Sequence, residues 1–190
     1  MRDQPARRHD EGRAESFSPD DLRIVEFESV SMREWISLTG HDRAVFGEAS
    51  AGLTFRPKTL HIGLRDPDDQ LLAVAGATTA TVEVSGAAPF EVVALGALVV
   101  RPELRGLGLG GRILDRFDVR MTELGPDRAM VLCEPKFKVP YGRRGFHLLT
   151  DTVLADQPDG HVVVPLSAMW RSLGASDWPP GRIHIQGLPF

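Results

Sequence analysis

Cysteine occurs once in the 190 residues, at Cys133. An intrachain disulfide is therefore excluded, and a reducing compartment, the cytoplasm, is the expectation. The six histidines show none of the close pairing that zinc motifs use, so a metal-free site is expected. Long hydrophobic runs are missing too: Val92–Val100 and Val162–Leu166 fall well short of the ~20 residues that a membrane-spanning helix needs. Nor is there an excess of basic charge. With 22 Lys and Arg against 26 Asp and Glu, the net charge of -4 leaves no footprint for nucleic acid, although it is compatible with a cationic substrate. Neither nucleic acid nor membrane is expected as a partner. The opening MRDQPARRHDEGRAESFSPDD has almost no large apolar residues and lacks the hydrophobic core of a secretion signal. It reads as a disordered tail over residues 1–20, followed by a single domain over 21–190. The chain's 42% hydrophobic and 25% charged content is ordinary for a soluble globular protein.

Strand and helix periods alternate along that domain. Leu22–Phe27 (LRIVEF) alternates as a half-buried strand does, and Met32–Leu38 suggests a short helix. The stretch from Thr39 to Pro57 is ambiguous, its second half (GEASAGLTFRP) being rich in turn formers and suited to a loop over a cleft. Leu60–Arg65 and Leu71–Val84 flank the turn DPDD as a hairpin, and SGAAPF then reverses the chain into a third strand, Glu91–Val100, antiparallel to the second. Ile113, Phe117, Met121 and Leu124 recur at helical spacing before the stop signal Gly125-Pro126, and Ala129–Cys133 is a buried-strand run. Strand, loop, helix and strand make a βαβ unit with a parallel pair. The remainder predicts a short helix near Tyr141 and strands around His147–Leu154 and His161–Leu166. The fold class is α/β in the broad sense, an α+β mixed sheet that is antiparallel first and parallel in the middle, with helices packed on it.

The strand-to-helix connection V-V-R-P-E-L-R-G-L-G-L-G-G fits two phosphate-binding signatures. Gly106, Gly108 and Gly111 satisfy the dinucleotide pattern G-x-G-x-x-G, and Glu134 lies 23 positions past Gly111, near the ~20-residue spacing of a ribose-binding acid. Two features count against that reading. Arg101–Arg105 separate the strand from the first glycine, and a doubly wound sheet would need further βαβ units. Alternatively Arg105, Gly108 and Gly110 satisfy R-x-x-G-x-G. In either case successive N–H groups from Arg105 through Gly106, Leu107, Gly108, Leu109, Gly110 and Gly111, placed at a helix N-terminus, form an anion site suited to a diphosphate. Glycines at 106, 108 and 110 would permit unusual φ values and close ligand approach. Gly96, inside the preceding strand, signals a bulge or a close contact.

The segment V-V-R-P-E-L-R-G-L-G-L-G, followed about thirty residues later by V-P-Y-G-R-R-G-F, resembles the GNAT (Gcn5-related N-acetyltransferase) superfamily, whose F-Y-x-x-x-G-F matches at Tyr141, Gly145 and Phe146. The resemblance implies a GNAT-like acyl-CoA N-acyltransferase fold in which the central parallel strands splay. The pantetheine arm of acetyl-CoA, the acyl donor, would lie on the backbone of Leu98, Val99 and Val100. It implies transfer of an acetyl group to a primary amine of a small molecule by direct attack, with Tyr141 as general acid. Where many members carry a carboxylate on the strand before the loop, this chain has Ala94, Leu95, Gly96 and Ala97, so Glu134 becomes the substitute base. Cys133 is expected to be inert core.

S-D-W-P-P-G at Ser176–Gly181 is weakly similar to the ends of aminoglycoside 2′-N-acetyltransferases and nodulation N-acyltransferases, but acids that those enzymes carry are replaced here by Ala94, Gly96 and Arg182. The acceptor and the acyl length stay open. Asp156, Asp159 and Asp177 are candidates for an amine pocket, and a homodimer is compatible with the sequence. A non-catalytic acyl-CoA-binding protein and, with less support, an NAD-dependent oxidoreductase remain as alternatives.

Overall fold

The computed structural model describes residues 21–40 and 46–190; residues 1–20, read as a disordered tail, and 41–45 of the ambiguous stretch lie outside them. The chain runs β1 (Arg23–Phe27), α1 (Met32–Thr39), β2 (Leu60–Arg65), β3 (Leu71–Val84), β4 (Phe90–Val100), α2 (Leu109–Arg120), β5 (Arg128–Cys133) and α3 (Lys138–Gly142). It finishes with β6 (His147–Leu148), β7 (Val153–Gln157), β8 (Gly160–Val163), β9 (Ser167–Ser172) and β10 (Ile183–Ile185). All ten strands join one sheet in the order β6-β9-β5-β4-β3-β10-β7-β8, with β1 and β2 branching from β3.

The expected hairpins are present: β2, β3 and β4 pair antiparallel in sequence, and β4 pairs parallel with β5. Alternation within the central strands feeds two cores. Val93, Leu95, Ala129 and Val131 face Leu109, Ile113 and Phe117 of α2, whereas Val92, Ala94, Met130 and Leu132 pack with Val82, Ile183 and Ile185 on the other side. Coverage of both faces is why these strands read as unbroken apolar runs. Phe117 is fully buried, and that burial stabilises the fold by about 2–3 kcal/mol.

Local chemistry sets the helix ends. Ser31 Oγ accepts the Glu34 N–H at 3.3 Å while the Glu34 carboxylate accepts the Ser31 N–H at 3.0 Å, a reciprocal cap that starts α1. Gly40 stops it in the left-handed region, with φ 61°. Leu38 then anchors α1 on Leu71, Val74 and Val99.

The C-terminal part departs from expectation. His147–Leu154 is not one strand: β6 pairs with β9, but β7 pairs with β10 and β8. The chain has to cross from one side of the sheet to the other between them, and Leu149–Thr152 make that crossing. The strand expected over 161–166 ends at Val163, just ahead of Pro165, which has no N–H for a ladder. β9 and β10 had no clear sequence signal. Among the described residues no helix is long and apolar enough to cross a membrane.

Candidate active site

The parallel contact between β4 and β5 is short. Its register runs from Val93 opposite Ala129 only to Leu95 opposite Val131, although β4 continues to Val100 and β5 to Cys133. The cause is a bulge. On β3, Val74 faces Val99 and Gly76 faces Gly96, so that Ala97 and Leu98 together oppose Ala75. Ala97 takes a φ of 54°, a region disfavoured for any residue with a Cβ. The irregularity therefore falls one residue beyond Gly96, and from there β4 turns away from β5.

Two spaces open along this parting. A groove of about 880 Å³ runs between the outer half of β4, the start of α2 and α3, with Leu98, Val100, Arg105, Gly110, Gly111 and Arg143 among its walls. A cavity of about 150 Å³ lies beyond it, lined by Lys58, Gly96, Cys133, Glu134, Tyr141 and Phe190 among others. Leu98 is a wall of both.

At the end of the groove formed by α2, the helix begins at Gly108 (φ 78°) with no side-chain cap, and Gly106 has φ 83°. The first i to i−4 bond joins Arg112 N–H to Gly108 O at 3.2 Å, so the N–H groups of Leu109, Gly110 and Gly111 have no intrahelical acceptor. The backbone differs from the expectation at one glycine. Gly110 has no positive φ and belongs to the helix, so only Gly106 and Gly108 use the left-handed region.

The roles of individual loop residues differ. Leu107 is exposed and Leu109 buries its side chain in the core, so Leu109 offers only its backbone. Val99 likewise packs its side chain under α1. The Val100 carbonyl accepts from Arg105 Nε at 3.2 Å. Arg105 and Arg143 are exposed and have no carboxylate partner among the described residues. Arg144 is committed instead: it pairs with Asp115 at 2.7 Å and Asp118 at 2.8 Å, and Arg171 joins Asp118 at 2.7 Å. This network fixes α2 against the turn after α3 and against β9.

In the cavity, α3 presents Tyr141, buried and packed edge-on against Phe146 at 5.6 Å. Its hydroxyl has no hydrogen-bond partner among the described residues. Burial, reinforced by Cys133, holds its pKa above the ordinary phenol value, so it stays a neutral donor. Burial also pushes the Cys133 thiol up to about 11, which suppresses the thiolate. Glu134 lines the cavity and pairs with Lys136 at 2.9 Å. The expected loop over the cleft packs on it directly, since a Cβ at Gly47 would lie 2.7 Å from Glu134 Cδ. Phe46, Phe55 and Arg56 bring that loop to the cavity wall.

Lys58 escaped the sequence reading. Its stem crosses the sheet between cross-strand partners Gly76 and Gly96: a Cβ at Gly76 would come within 2.5 Å of Lys58 Cγ, and one at Gly96 within 3.3 Å of Cε. Two interior glycines in neighbouring strands were the available signal. Burial, then the adjacent Arg56 charge, lowers the Lys58 pKa to about 8.

The C-terminal acids lie elsewhere. Asp177 and Asp159 are exposed and line neither space. Asp156 Oδ1 accepts from His161 Nδ1 and His184 Nε2, both at 2.8 Å, and its Oδ2 accepts from Gly187 N–H at 2.7 Å, which ties β7 to β8 and β10. These donor atoms, within 4.8 Å of one another, are of the kind divalent metals take, and here carboxylate–imidazole hydrogen bonds engage them. In the S-D-W-P-P-G segment Trp178 packs edge-on against Phe90 at 5.3 Å, and the Asp177 carbonyl accepts from Arg128 Nε at 2.9 Å. The segment is a brace on β4 and β5.

This architecture, a mixed sheet with a splayed parallel pair opposite a glycine-rich helix start, is the fold of the GNAT-family N-acetyltransferases. A GNAT-family N-acetyltransferase from Escherichia coli (YhbS), solved in complex with CoA, superposes with a TM-score of 0.58 at 18% identity, over 90% of this chain and 93% of that one. ElaA, also from Escherichia coli, gives 0.54 at 19% over 80% and 99% of the two chains. A GNAT-family acetyltransferase from Brucella melitensis in complex with acetyl-CoA gives 0.51 at 18% over 85% and 94%. No protein-family model matches the sequence, and no curated protein matches it.

Proposed function

We propose that the chain transfers an acetyl group from acetyl-CoA to the primary amine of a small molecule. The observation that carries this reading is an uncapped helix N-terminus lying beside a strand pair that parts after Leu95. The N–H groups of Leu109, Gly110 and Gly111, with Arg105 and Arg143, suit a diphosphate. The outer edge of β4 along Leu98–Val100 suits an extended arm.

Acetyl-CoA supplies an activated thioester; the chain's own groups handle protons. As the N–C bond forms and the C–S bond breaks, the sulfur needs a hydrogen-bond donor, and Tyr141 offers an unpartnered hydroxyl. At reference pKa values full transfer from phenol to thiolate is uphill by roughly 2 kcal/mol, and burial of Tyr141 makes it steeper, so hydrogen bonding to the departing sulfur is the supported role. Glu134, the one acidic side chain lining the cavity among the described residues, would take the amine proton directly or through water.

The nicotinamide alternative loses its support in the sheet, which is largely antiparallel around β4 and β5 and is not doubly wound. A binding protein without turnover is favoured by one observation, the absence of a carboxylate at Ala94–Ala97.

Thermal-shift titration separates these readings. Acetyl-CoA or CoA at a hundred times its Kd should add about 2.7 kcal/mol, which is roughly 5–10 °C for a chain of this size. NAD should add nothing. No shift with any CoA species would remove the proposal, and a shift without CoA release across a panel of amines would leave a binding protein. In the same assay Cys133→Ala should turn over like the wild type, because a buried thiol with its pKa near 11 is no acyl acceptor.

A further inference from the structure

Four polar side chains stand in a row on one face of the sheet, and none of them lines the cavity or the groove. In the β7–β8 hairpin Asp156 is directly opposite His161. β10, parallel to β7, sets His184 opposite Leu154, two positions before Asp156 and so on the same face; β3 in turn sets Glu83 opposite His184. Ala155, Ile183 and Ile185 fill the core on the other face. Residues 156, 161 and 184 do not have the spacing of a zinc motif along the chain, and strand pairing is what gathers them.

The donor atoms of three of them converge. Asp156 Oδ1 lies 2.8 Å from both His161 Nδ1 and His184 Nε2, and the three ligand atoms are within 4.8 Å of one another. Ligands held at about 2.0–2.1 Å by one zinc ion sit roughly 3.0–3.4 Å apart, so side-chain movements under about 1 Å admit an ion in place of the two bridging protons. The surroundings of His184 favour that exchange. Its Nδ1 faces Glu83 Oε2 at 3.8 Å, so the ring lies between two carboxylates. A neutral ring donating from Nε2 to Asp156 turns the bare Nδ1 lone pair toward Glu83. With a metal on Nε2 the proton moves to Nδ1 and points at Glu83, the outer carboxylate that ligating histidines characteristically have. Asp156 is oriented in the same way, because the Gly187 N–H holds Oδ2 at 2.7 Å and leaves Oδ1 for the ion. Glu83 is itself held by Gln186 Nε2.

We propose that Asp156 Oδ1, His161 Nδ1 and His184 Nε2 bind one divalent transition ion of the zinc class, with Glu83 as the outer partner of His184. Two imidazoles and a carboxylate select such ions over magnesium and calcium, which take all-oxygen sets. A cleft of about 470 Å³ beside the row, walled by Glu83, His161, Arg182 and His184 among others, leaves room for water at the remaining coordination positions. The Arg182 guanidinium there is outweighed by the two carboxylates. The ion acts as a clamp. β10 runs on into a segment whose Gln186 carbonyl accepts from Arg56 Nη2, whose Pro189 carbonyl accepts the Arg56 N–H at 2.6 Å, and whose Phe190 lines the cavity. Metal bound outside would thus join β7, β8 and β10 and steady one wall of the cavity without touching it. The site stands whether or not the chain is an acetyltransferase.

The test uses the full-length, untagged protein stripped with a chelator. Zinc chloride titrated calorimetrically should bind at one ion per chain with a Kd tighter than about 50 μM, and magnesium chloride should bind at least about a hundredfold more weakly. Zinc at a hundred times its Kd should raise Tm by about 5–10 °C. The His161 side chain is 68% exposed, so His161→Ala removes a ligand without opening the core, and it should weaken zinc binding at least about tenfold. Glu83→Gln should cost about tenfold through the outer contact. A second readout needs no variant. Nitrogen-15 NMR of the wild-type histidines should place zinc on Nδ1 of His161 and Nε2 of His184, with the His184 proton on Nδ1. Weaker zinc binding, no rise in Tm, equal affinity in His161→Ala and the wild type, or His161 and His184 resonances unmoved by zinc would each overturn the proposal and leave the row as a hydrogen-bonded brace. None of these results depends on a CoA-induced thermal shift, so the acetyltransferase reading stands or falls separately.

Discussion

Tyr141→Phe should lower kcat by about a hundredfold, at the lower end of what a positioned proton donor contributes, with the KM for acetyl-CoA changed by less than about twofold. The variant should fold as well as the wild type. The hydroxyl has no hydrogen-bond partner among the described residues, so its removal orphans no buried group, and the ring keeps its edge-on contact with Phe146. A steady-state assay beside a thermal melt checks both halves. Wild-type turnover in the variant would dismiss Tyr141 as the donor, and a large fall in Tm would mean that the phenol is chiefly structural. The pH profile adds a further check. Burial raises the Tyr141 pKa, so the protonated phenol persists through neutral and mildly alkaline solution, and no loss of rate from its ionisation is expected below about pH 10.

Gly108→Val should weaken acetyl-CoA binding at least tenfold. The position has φ 78° at the helix start, and a Cβ there would meet nothing within 4 Å, so any effect comes from backbone conformation and not from a clash. A β-branched residue is disfavoured in that region by about 1–2 kcal/mol or more, and relaxing the strain turns the N–H groups of Leu109, Gly110 and Gly111 away from a common point. Tm should fall by roughly 2–8 °C. Gly110→Ala is the contrast. Gly110 is helical, and its added methyl would sit 3.6 Å from Leu98 Cδ2, an ordinary contact. Ala is the better helix former by about 0.8–1 kcal/mol, so Tm should rise. Isothermal titration with CoA for both variants reads out the anion nest; equal affinity in Gly108→Val and the wild type would show that the nest does not hold the diphosphate.

The segment from Leu95 to Phe146 was legible because its determinants are local. Positive-φ glycines, a helix start and a buried strand are set by neighbours in sequence, and the two hairpins announced themselves through alternation and turn residues. The C-terminal third was not. H-L-L-T-D-T-V-L reads as one strand, and only the positions of β9 and β10 on opposite sides of the sheet oblige it to break. Ser167–Ser172 mixes small, aromatic and charged residues, and its strand exists because β5 offers an edge from Arg128 to Cys133. Tyr141, Glu134 and the loop could be named from sequence. Lys58 could not, since its environment depends on the register that sets Gly76 opposite Gly96. Glycine scarcity of side-chain information hid the most distinctive charge in the cavity.

β3 is shared along one edge: β2 takes its first half, from Leu71 to Ala77, and β10 takes Val82–Val84 near its end. The second partner is made from residues about a hundred positions downstream and also closes a parallel pairing with β7. During synthesis, then, this edge of the later half of the strand waits unpaired until residues about a hundred positions downstream have emerged, a non-local closure of the kind that slows folding and invites intermolecular pairing. Growth temperature and chaperone supply should accordingly govern soluble yield, and a variant lacking residues 181–190 should aggregate while its N-terminal hairpins still form.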